Sequence, residues 1–281
     1  MLTRLTEAEF DRYISWAYSL ATTPAYASYP SYMDGVKTRE EFITRARRGI
    51  DDEEILLFTH EGSVCGWIQW YAITEEQYAQ TVTCLLSEHQ EEAIREFSAH
   101  VAARYPGYTL DIGLDGANAA TAQALAKAGF TLLDHSVNHT LFFAEYKPEE
   151  PLSGTSLLLP GEEEVFRLLH NAPDMYWSAE RILADMACWQ VYLHRECGKA
   201  VAALVCQADK WPEIFAIFFE GDAFRADVYR SLMTACLNDL HAQGCHHMTY
   251  FEEDDDALAV LAQLGFRRVG EYLAYRCILE G

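Results

Sequence analysis

Leu125-Ala126-Lys127-Ala128-Gly129-Phe130 returns later in the chain as Leu261-Ala262-Gln263-Leu264-Gly265-Phe266, and the reading of this pair decides the fold. A second pair precedes it: Glu61-Gly62-Ser63-Val64-Cys65-Gly66-Trp67 and Cys197-Gly198-Lys199-Ala200-Val201-Ala202-Ala203. Gly62 and Gly198 are 136 positions apart, and so are Gly129 and Gly265. A turn and a helix end therefore recur with the spacing between them kept. A period this long exceeds any solenoid unit, so it marks a duplicated domain rather than a stack of small repeats.

Length and composition agree. A chain of 281 residues lies near the upper limit for one hydrophobic core, and 50% apolar content is enough to build two. The expected division is a first domain over 1–144, a linker over 145–155 carrying Pro148, Pro151 and Gly154, and a second domain over 156–281. No run is apolar for the length of a membrane span, and Arg4, Glu7, Glu9 and Asp11 stand where a signal peptide would be apolar, so a cytoplasmic protein is expected. Eight cysteines without a C-x-x-C pair read as reduced, mostly buried thiols.

Acidic residues number 43 against 21 basic ones, a net charge of −22. Such a field repels nucleic acid and anionic membrane and favours cationic partners such as amines. It also serves as a solubilising surface. The clusters Asp51-Asp52-Glu53-Glu54, Glu162-Glu163-Glu164 and Glu252 to Asp256 sit mostly where elements begin, and carboxylates at helix starts are stabilised by the dipole without any ligand.

In the first copy, Thr6-x-x-Glu9 and Thr38-x-x-Glu41 are capping boxes that open two helices. Phe10, Tyr13, Ile14, Ala17 and Leu20 recur at helical spacing on the first. Between them, Ala21 to Val36 reads as a loop with Tyr26, Tyr29 and Tyr32 every third residue. Ile55 to Phe58 and Val64 to Tyr71 form a hairpin about Gly62. A central strand near Thr81 to Leu86, a helix through Ile94, Phe97 and Val101, a strand over Tyr108 to Ile112, and a helix from Asn118 to Gly129 follow. Phe130 to Leu133 and Thr140 to Phe143 read as two closing strands, so the order is β-α-α-β-β-β-α-β-α-β-β. The second copy repeats it with shorter leading helices, ending in strands over Gly270 to Leu279.

This order, the hairpin with its glycine turn, and the block Asn118-x-x-Thr121-x-x-Ala124-Leu125-Ala126-Lys127-Ala128-Gly129-Phe130 resemble the GNAT superfamily of acyl-CoA-dependent N-acyltransferases in its tandem form. The resemblance covers nearly the whole chain. It implies an α/β (α+β) fold of two tandem GNAT-like domains, each a mixed, mostly antiparallel sheet flanked by helices. It further implies acetyl-CoA or another acyl-CoA as co-substrate and an amine-bearing small molecule or peptide as acceptor; separately, no metal and a monomer or homodimer are expected. In such enzymes the pantetheine arm lies where the central strand and its neighbour splay apart, and main-chain amides at the following strand-to-helix corner hold the diphosphate.

Two departures from that family stand out. Its corner pattern is Gln/Arg-x-x-Gly-x-Gly/Ala, whereas this chain has Gln90-Glu91-Glu92-Ala93-Ile94-Arg95 and Arg225-Ala226-Asp227-Val228-Tyr229-Arg230. Both small residues are lost, and Glu91, Glu92 and Asp227 bring negative charge to a place meant for a polyanion. Arg225 and Arg230 either grip phosphate or point to solvent as ordinary helix charges; Arg95 reads as solvent-facing. The second departure is at the tyrosine that protonates the leaving thiolate, which is replaced by Leu125 and Leu261; Tyr229 or Tyr250 are the substitutes available.

Arg225, Arg230 and the cleaner helix that follows them make the second copy the expected coenzyme site, with Phe219, Gly221, Arg225, Ala226, Asp227, Val228, Tyr229, Arg230 and Asn118 of the first copy as cofactor-binding candidates. Glu220, Asp222, Tyr229 and Glu252 are the catalytic candidates, the carboxylates as bases, each of which could equally be a solvated helix start; His89 is the corresponding base in the first copy or an exposed histidine. Tyr26, Tyr29 and Tyr32 would line an acceptor pocket suited to an amine, or pack against the rest of the protein. His241, Cys245, His246 and His247 do not make a metal site, because neighbours on a strand face opposite ways. The alternative to a transferase is an inactive GNAT-like binding or regulatory protein.

Overall fold

Both glycine turns singled out by the repeat reverse a hairpin with two left-handed residues. Glu61 (φ 46°) and Gly62 (φ 83°) do so in the first copy, Cys197 (φ 50°) and Gly198 (φ 83°) in the second. Positive φ at both central positions is the turn geometry that matches the twist of the flanking strands. The helix ends of the repeat are equally matched. Phe130 N–H bonds Leu125 O at 3.0 Å and Phe266 N–H bonds Leu261 O at 3.0 Å, over Gly129 and Gly265 in left-handed conformation. Leu125 and Leu261 are buried, so these positions anchor helix ends in the core.

The computed structural model describes residues 1–30, 38–51, 54–172, 175–208, 212–221 and 223–280. In chain order the first copy runs β1 (Leu2–Arg4), α1 (Glu7–Ala21), α2 (Arg39–Asp51), β2 (Glu54–His60), β3 (Ser63–Ile73), β4 (Tyr78–Leu86), α3 (Gln90–Arg104), β5 (Thr109–Asp115), α4 (Ala119–Lys127) and β6 (Thr131–Phe142). The second runs β7 (Thr155–Leu157), α5 (Glu163–Leu169), α6 (Ala179–Ala184), β8 (Trp189–Glu196), β9 (Lys199–Gln207), β10 (Glu213–Phe219), α7 (Ala226–Ala242), β11 (His247–Phe251), α8 (Asp255–Leu264) and β12 (Arg267–Ile278). The predicted capping box at Thr38 is reciprocal, with Thr38 N–H to Glu41 Oε2 at 2.8 Å and Glu41 N–H to Thr38 Oγ1 at 3.2 Å. Where two closing strands were expected, each copy has one strand of twelve residues. The polar stretch Asp134 to His139 reads as a break in sequence, but Leu132 and Leu133 are half exposed, so this strand does not need an apolar face throughout.

The structure divides into unit 1, Met1–Val137 with Val269–Gly281, and unit 2, Asn138–Arg268. These are not the expected boundaries at 144 and 156, and the reason is hydrogen bonding. β12 pairs antiparallel with β5 from Tyr272↔Asp115 to Ile278↔Thr109, so the last strand of the chain belongs to unit 1. Residues 138–142 of β6 pair with 247–251 of β11, in unit 2. Unit 1 has the strand order β1-β2-β3-β4-β5-β12, and unit 2 has β7-β8-β9-β10-β11-β6. Each is antiparallel but for one parallel pair, β4 with β5 and β10 with β11. The expected linker lies against α7: Asn238 Nδ2 donates to Glu149 O (2.8 Å), and Leu152 N–H donates to Ser231 Oγ (2.8 Å).

Helices cover both faces of each sheet. In unit 1, Ile94, Phe97 and Val101 of α3 and Leu125 of α4 bury against Cys84 and Leu86, while Phe10, Ile14 and Phe42 of α1 and α2 bury against Leu57, Trp67 and Leu85. In unit 2, Val228, Leu232 and Cys236 of α7 and Leu261 of α8 hold one face; Phe166 and Ile182 of α5 and α6 hold the other with Val191, Val205 and Phe218. Each fully buried side chain of this size contributes about 1.5–3 kcal/mol, so the two-sided cores dominate stability. No described helix is long and apolar enough to cross a membrane.

Candidate active site

In both units the parallel pair begins as a ladder and then opens. β4 and β5 pair only at Tyr78↔Thr109, Ala79↔Leu110 and Gln80↔Asp111. Among the described residues, β10 and β11 pair at Glu213↔Thr249 and Ile214↔Tyr250. A bulge sits just past each ladder. The β3–β4 register slips so that Val82 is the extra residue, and the β9–β10 register slips so that Phe215 is. A bulge bends its strand and leaves one residue out of the ladder, which is the physical origin of the divergence.

The gap of unit 1 is occupied by the chain itself. Ala27 O accepts from Asp115 N–H (3.0 Å) and Asn118 Nδ2 (3.1 Å), and Ser28 Oγ accepts from Cys84 N–H (2.5 Å). Cys84 lies four residues beyond Gln80 and Asp115 four beyond Asp111, so this segment bridges positions that an unbroken ladder would have joined. Asn118, nominated as a coenzyme contact, is instead fully buried. Its Oδ1 caps α4 through Thr121 N–H (3.3 Å) while its amide holds Ala27, and its full burial puts it among structural groups.

At the following corner, Gln90 to Arg95 form the first turns of α3 rather than a loop, with Ala93 and Ile94 in the core and Arg95 exposed. Glu91 pairs with Lys127, and Glu92 with His60 Nδ1 at 2.9 Å. Among the described residues, His60, His89 and Glu92 bring potential ligand atoms within 4.8 Å of one another. The two imidazoles are stacked, however, with centroids 3.7 Å apart and planes 18° from parallel. Lone pairs lie in the ring planes, and nearly parallel planes do not meet at one ion, so this is a stacked, hydrogen-bonded corner. His246, one residue before β11, is exposed, and His247, its first residue, is buried.

Unit 2 has a longer corner, six residues from Glu220 to Arg225, and Asp222 lies outside the described residues. Glu220 is exposed and pairs with Lys199. Arg225 is the N-cap of α7 and pairs with Glu196 (2.6 Å) and Asp227 (3.7 Å); its hydrogen bond holds the Glu196 carboxyl below the usual carboxylate range. Arg230 pairs with Glu149 (2.7 Å) and Gln263 (3.1 Å). Both arginines therefore meet carboxylates, the one arrangement that the choice between phosphate and solvent did not include. Ala226, Asp227 and Val228 form the open end of α7, where main-chain N–H groups lack helical acceptors, while Tyr229 N–H already bonds Arg225 O at 2.8 Å. The side chains of Val228 and Tyr229 are in the core.

Three nominated groups do meet. Tyr250, at the last rung of the β10–β11 ladder, donates to Glu252 Oε2 at 3.0 Å, and Tyr229 donates to the same oxygen at 3.4 Å. Glu252 Oε1 accepts from Glu253 N–H (2.9 Å) and Asp254 N–H (3.0 Å). Burial foremost, together with the neighbouring Glu252 charge, pushes both phenols well above the usual tyrosine range, so both stay protonated. Phe224 packs tilted against Tyr229 with centroids 5.3 Å apart and planes at 52°, and half-buried Phe219 meets Phe224 at 5.9 Å. The apex of this gap is thus two phenols and a carboxylate walled by aromatic rings.

Against solved structures the whole chain aligns. A GCN5-related N-acetyltransferase from Sphaerobacter thermophilus matches with a TM-score of 0.64 and 10% identity, covering 100% of this chain and 96% of that one. A tandem GNAT protein from the clavulanic acid biosynthesis pathway gives 0.58 and 12%, covering 100% and 99%. A putative acetyltransferase from Pyrococcus horikoshii gives 0.55 and 12%, covering 100% and 91%. This is a tandem GNAT fold. No protein-family model and no curated protein matches the chain by sequence.

Within the GNAT fold, the sequence-nominated tyrosines of the first copy separate. Tyr26 packs half-buried with the α1–α2 core, Tyr29 rests on Tyr272 (centroids 5.2 Å, planes 60° apart), and Tyr32 lies outside the described residues. Sequence reasoning missed Ala27 and Ser28. A small dipeptide inside a loop carries no motif, and only the strands it bridges give it a role.

Proposed function

We propose that the chain is an acyl-CoA-dependent N-acyltransferase whose coenzyme lies in the strand gap of unit 2 and whose acceptor is an amine on a small molecule or peptide. One observation carries this reading: β10 and β11 part after Ile214 and Tyr250, at a cluster of Tyr229, Tyr250 and Glu252, whereas Ala27 and Ser28 fill the matching gap of unit 1. The fold shared with a GCN5-related N-acetyltransferase and a tandem GNAT protein supports the reaction class.

The acyl thioester enters as substrate. The bulge at Phe215 supplies a main-chain N–H outside the β9 ladder, the kind of fixed donor that a developing oxyanion needs. In direct transfer a C–N bond forms and the C–S bond breaks; the amine must lose a proton and the sulfur must gain one. Glu252 accepts the first proton, while Tyr250 gives its phenolic proton to the thiolate and recovers one from Glu252 across their 3.0 Å hydrogen bond. The open N–H groups of Ala226, Asp227 and Val228 face the diphosphate, with Arg225 exchanging Glu196 for phosphate. That exchange is easy because a surface ion pair is worth only about 0–1 kcal/mol.

A binding module without chemistry is the second reading, favoured by the carboxylate partners of Arg225 and Arg230. Calorimetric titration with acetyl-CoA, followed by a thiol-release assay over a panel of amines, separates the two. Saturable binding with amine-dependent thiol release is the expected result. Binding without release leaves the module, and no heat at millimolar ligand removes both the coenzyme and the transferase.

A further inference from the structure

Behind the Arg225–Glu196 pair lies a buried histidine that the proposed chemistry does not use. His194 of β8 is 3% exposed, and its two ring nitrogens face different partners. Nδ1 is 2.7 Å from Thr155 Oγ1 of β7, and Thr155 Oγ1 is 2.7 Å from Ser231 Oγ of α7. Nε2 is 4.0 Å from Glu196 Oε1, the oxygen that Arg225 Nη2 holds at 2.6 Å. A row of polar groups thus runs from buried Ser231 to the corner assigned to the diphosphate.

The direction of this row follows from its two ends. At the inner end Leu152 N–H donates to Ser231 Oγ (2.8 Å), which leaves the Ser231 hydrogen to go to Thr155. At the outer end the Glu196 carboxylate, an acceptor only, faces Nε2 and calls for the ring N–H there. Thr155 then donates to Nδ1 of a neutral ring. Protonation turns hydroxyl hydrogens and moves no heavy atom: Nδ1–H donates to Thr155 Oγ1, and Thr155 donates to Ser231 Oγ. The reversed order deprives the Ser231 hydrogen of this acceptor, which favours the neutral ring until charge tips the balance.

The charges that face the ring are Glu196 on its own strand and Arg225 and Asp227 at the start of α7, while β7 and β9 set Thr155 and Ala202 opposite it. Burial foremost holds His194 below the ordinary histidine value; the Arg225 charge adds to that, and Glu196 and Asp227 pull the other way. Arg225 also occupies Glu196. A diphosphate that draws Arg225 away offsets the guanidinium charge and releases the carboxylate toward Nε2, and both changes favour the imidazolium.

We propose that His194 is a proton switch for the coenzyme corner: binding of the acyl-CoA diphosphate transfers Glu196 from Arg225 to His194, which takes up one proton from solvent. This rests on the reading of unit 2 as the coenzyme site. By linkage, proton and coenzyme strengthen each other's binding. Affinity is level above the bound-state midpoint of the ring, rises as pH falls through it, and levels again below the free-state midpoint.

Calorimetric titration of the full chain with acetyl-CoA at about pH 6.5, repeated in buffers of different ionisation heat, counts the protons taken up. His194→Gln and Glu196→Gln, the latter on a surface side chain, supply the baseline for ionisation of the ligand's own phosphates. The parent chain is expected to take up about half a proton or more in excess of both variants, and to gain about fivefold or more in affinity over them between about pH 8 and pH 6. A second measurement needs no ligand. Arg225→Ala releases Glu196 and should raise the His194 midpoint in imidazole NMR, and adding Glu196→Gln should undo the rise. Heat without excess proton uptake, or a midpoint unmoved by Arg225→Ala, overturns the switch and leaves the transferase reading standing. No heat at millimolar acetyl-CoA removes the transferase reading and the switch together.

Discussion

Unit 1 and unit 2 share an element order, a parallel ladder that opens at a bulge, and a pair of helices over the gap, but they finish the gap differently. In unit 1 the corner after the central strand is three residues long, and the chain's own Ala27 and Ser28 satisfy the strand groups on both sides. In unit 2 the corner is six residues long, and the gap ends in Tyr229, Tyr250 and Glu252. Two copies of one fold thus close the same strand opening by different hydrogen bonds. A strand gap must have its N–H and C=O groups paired by something, and whether that is a ligand or the protein separates a working site from a structural one.

The comparison breaks most visibly at Glu252. Glu252→Gln is expected to lower turnover by about 100-fold or more while acetyl-CoA affinity stays near that of the parent chain, and Tyr250→Phe should lie in the same direction. Single-turnover kinetics beside calorimetry reads both quantities. An unchanged turnover would return unit 2 to the same structural status as unit 1.

Next in size are the residues that close unit 1. Asn118→Ala removes a helix cap and the donor to Ala27, and Ser28→Ala leaves Cys84 N–H buried without its acceptor; each is expected to cost about 1–3 kcal/mol in urea denaturation. Neither should alter acetyl-CoA binding. If Ser28→Ala instead creates a second coenzyme site, the segment is a removable stopper rather than a finished joint.

Charge reversal at the two corners gives a smaller contrast. Arg225→Glu should weaken acetyl-CoA by about tenfold, whereas Arg95→Glu, on an exposed side chain of α3, should do nothing measurable. Equal effects would mean that the coenzyme visits both corners.

The gentlest test is pH. Burial foremost holds His194 of unit 2 below the ordinary histidine value of 6.5, so the unfolded chain takes up the proton first. Its contribution is whole above pH 6.5 and is lost as pH falls through the folded-state value. Asp115 of unit 1 has the opposite sign: burial raises it above 3.8, so ionisation works against the fold and acidification relieves it. Mild acid is therefore expected to loosen unit 2 before unit 1 in hydrogen exchange, and His194→Gln should remove the difference near neutrality.

Much of the fold was legible because it rests on local rules. The Thr38–Glu41 box, the left-handed turns at Gly62 and Gly198, and the helix ends at Gly129 and Gly265 lie within a few residues of their causes. The candidate site was legible only in part. Tyr229, Tyr250 and Glu252 could be nominated as residue types, but their meeting at one oxygen depends on α7, β11 and the turn after it. Arg225 and Arg230 read as phosphate grips or free charges because Glu196 and Glu149, their partners, are 29 and 81 positions away.

From the order of its residues alone, this chain declares a duplication, the element order of each copy, and the helix and turn boundaries, all set by periodicity and backbone preference over short spans. Tertiary structure decided that the last strand completes unit 1, that Ala27 and Ser28 close one gap, and that Thr155, His194 and Ser231 share a row of hydrogen bonds. The physical reason is that strand pairing and burial act between residues far apart in the chain. Their partners are chosen by hydrogen-bond satisfaction in three dimensions, and no local pattern encodes that choice.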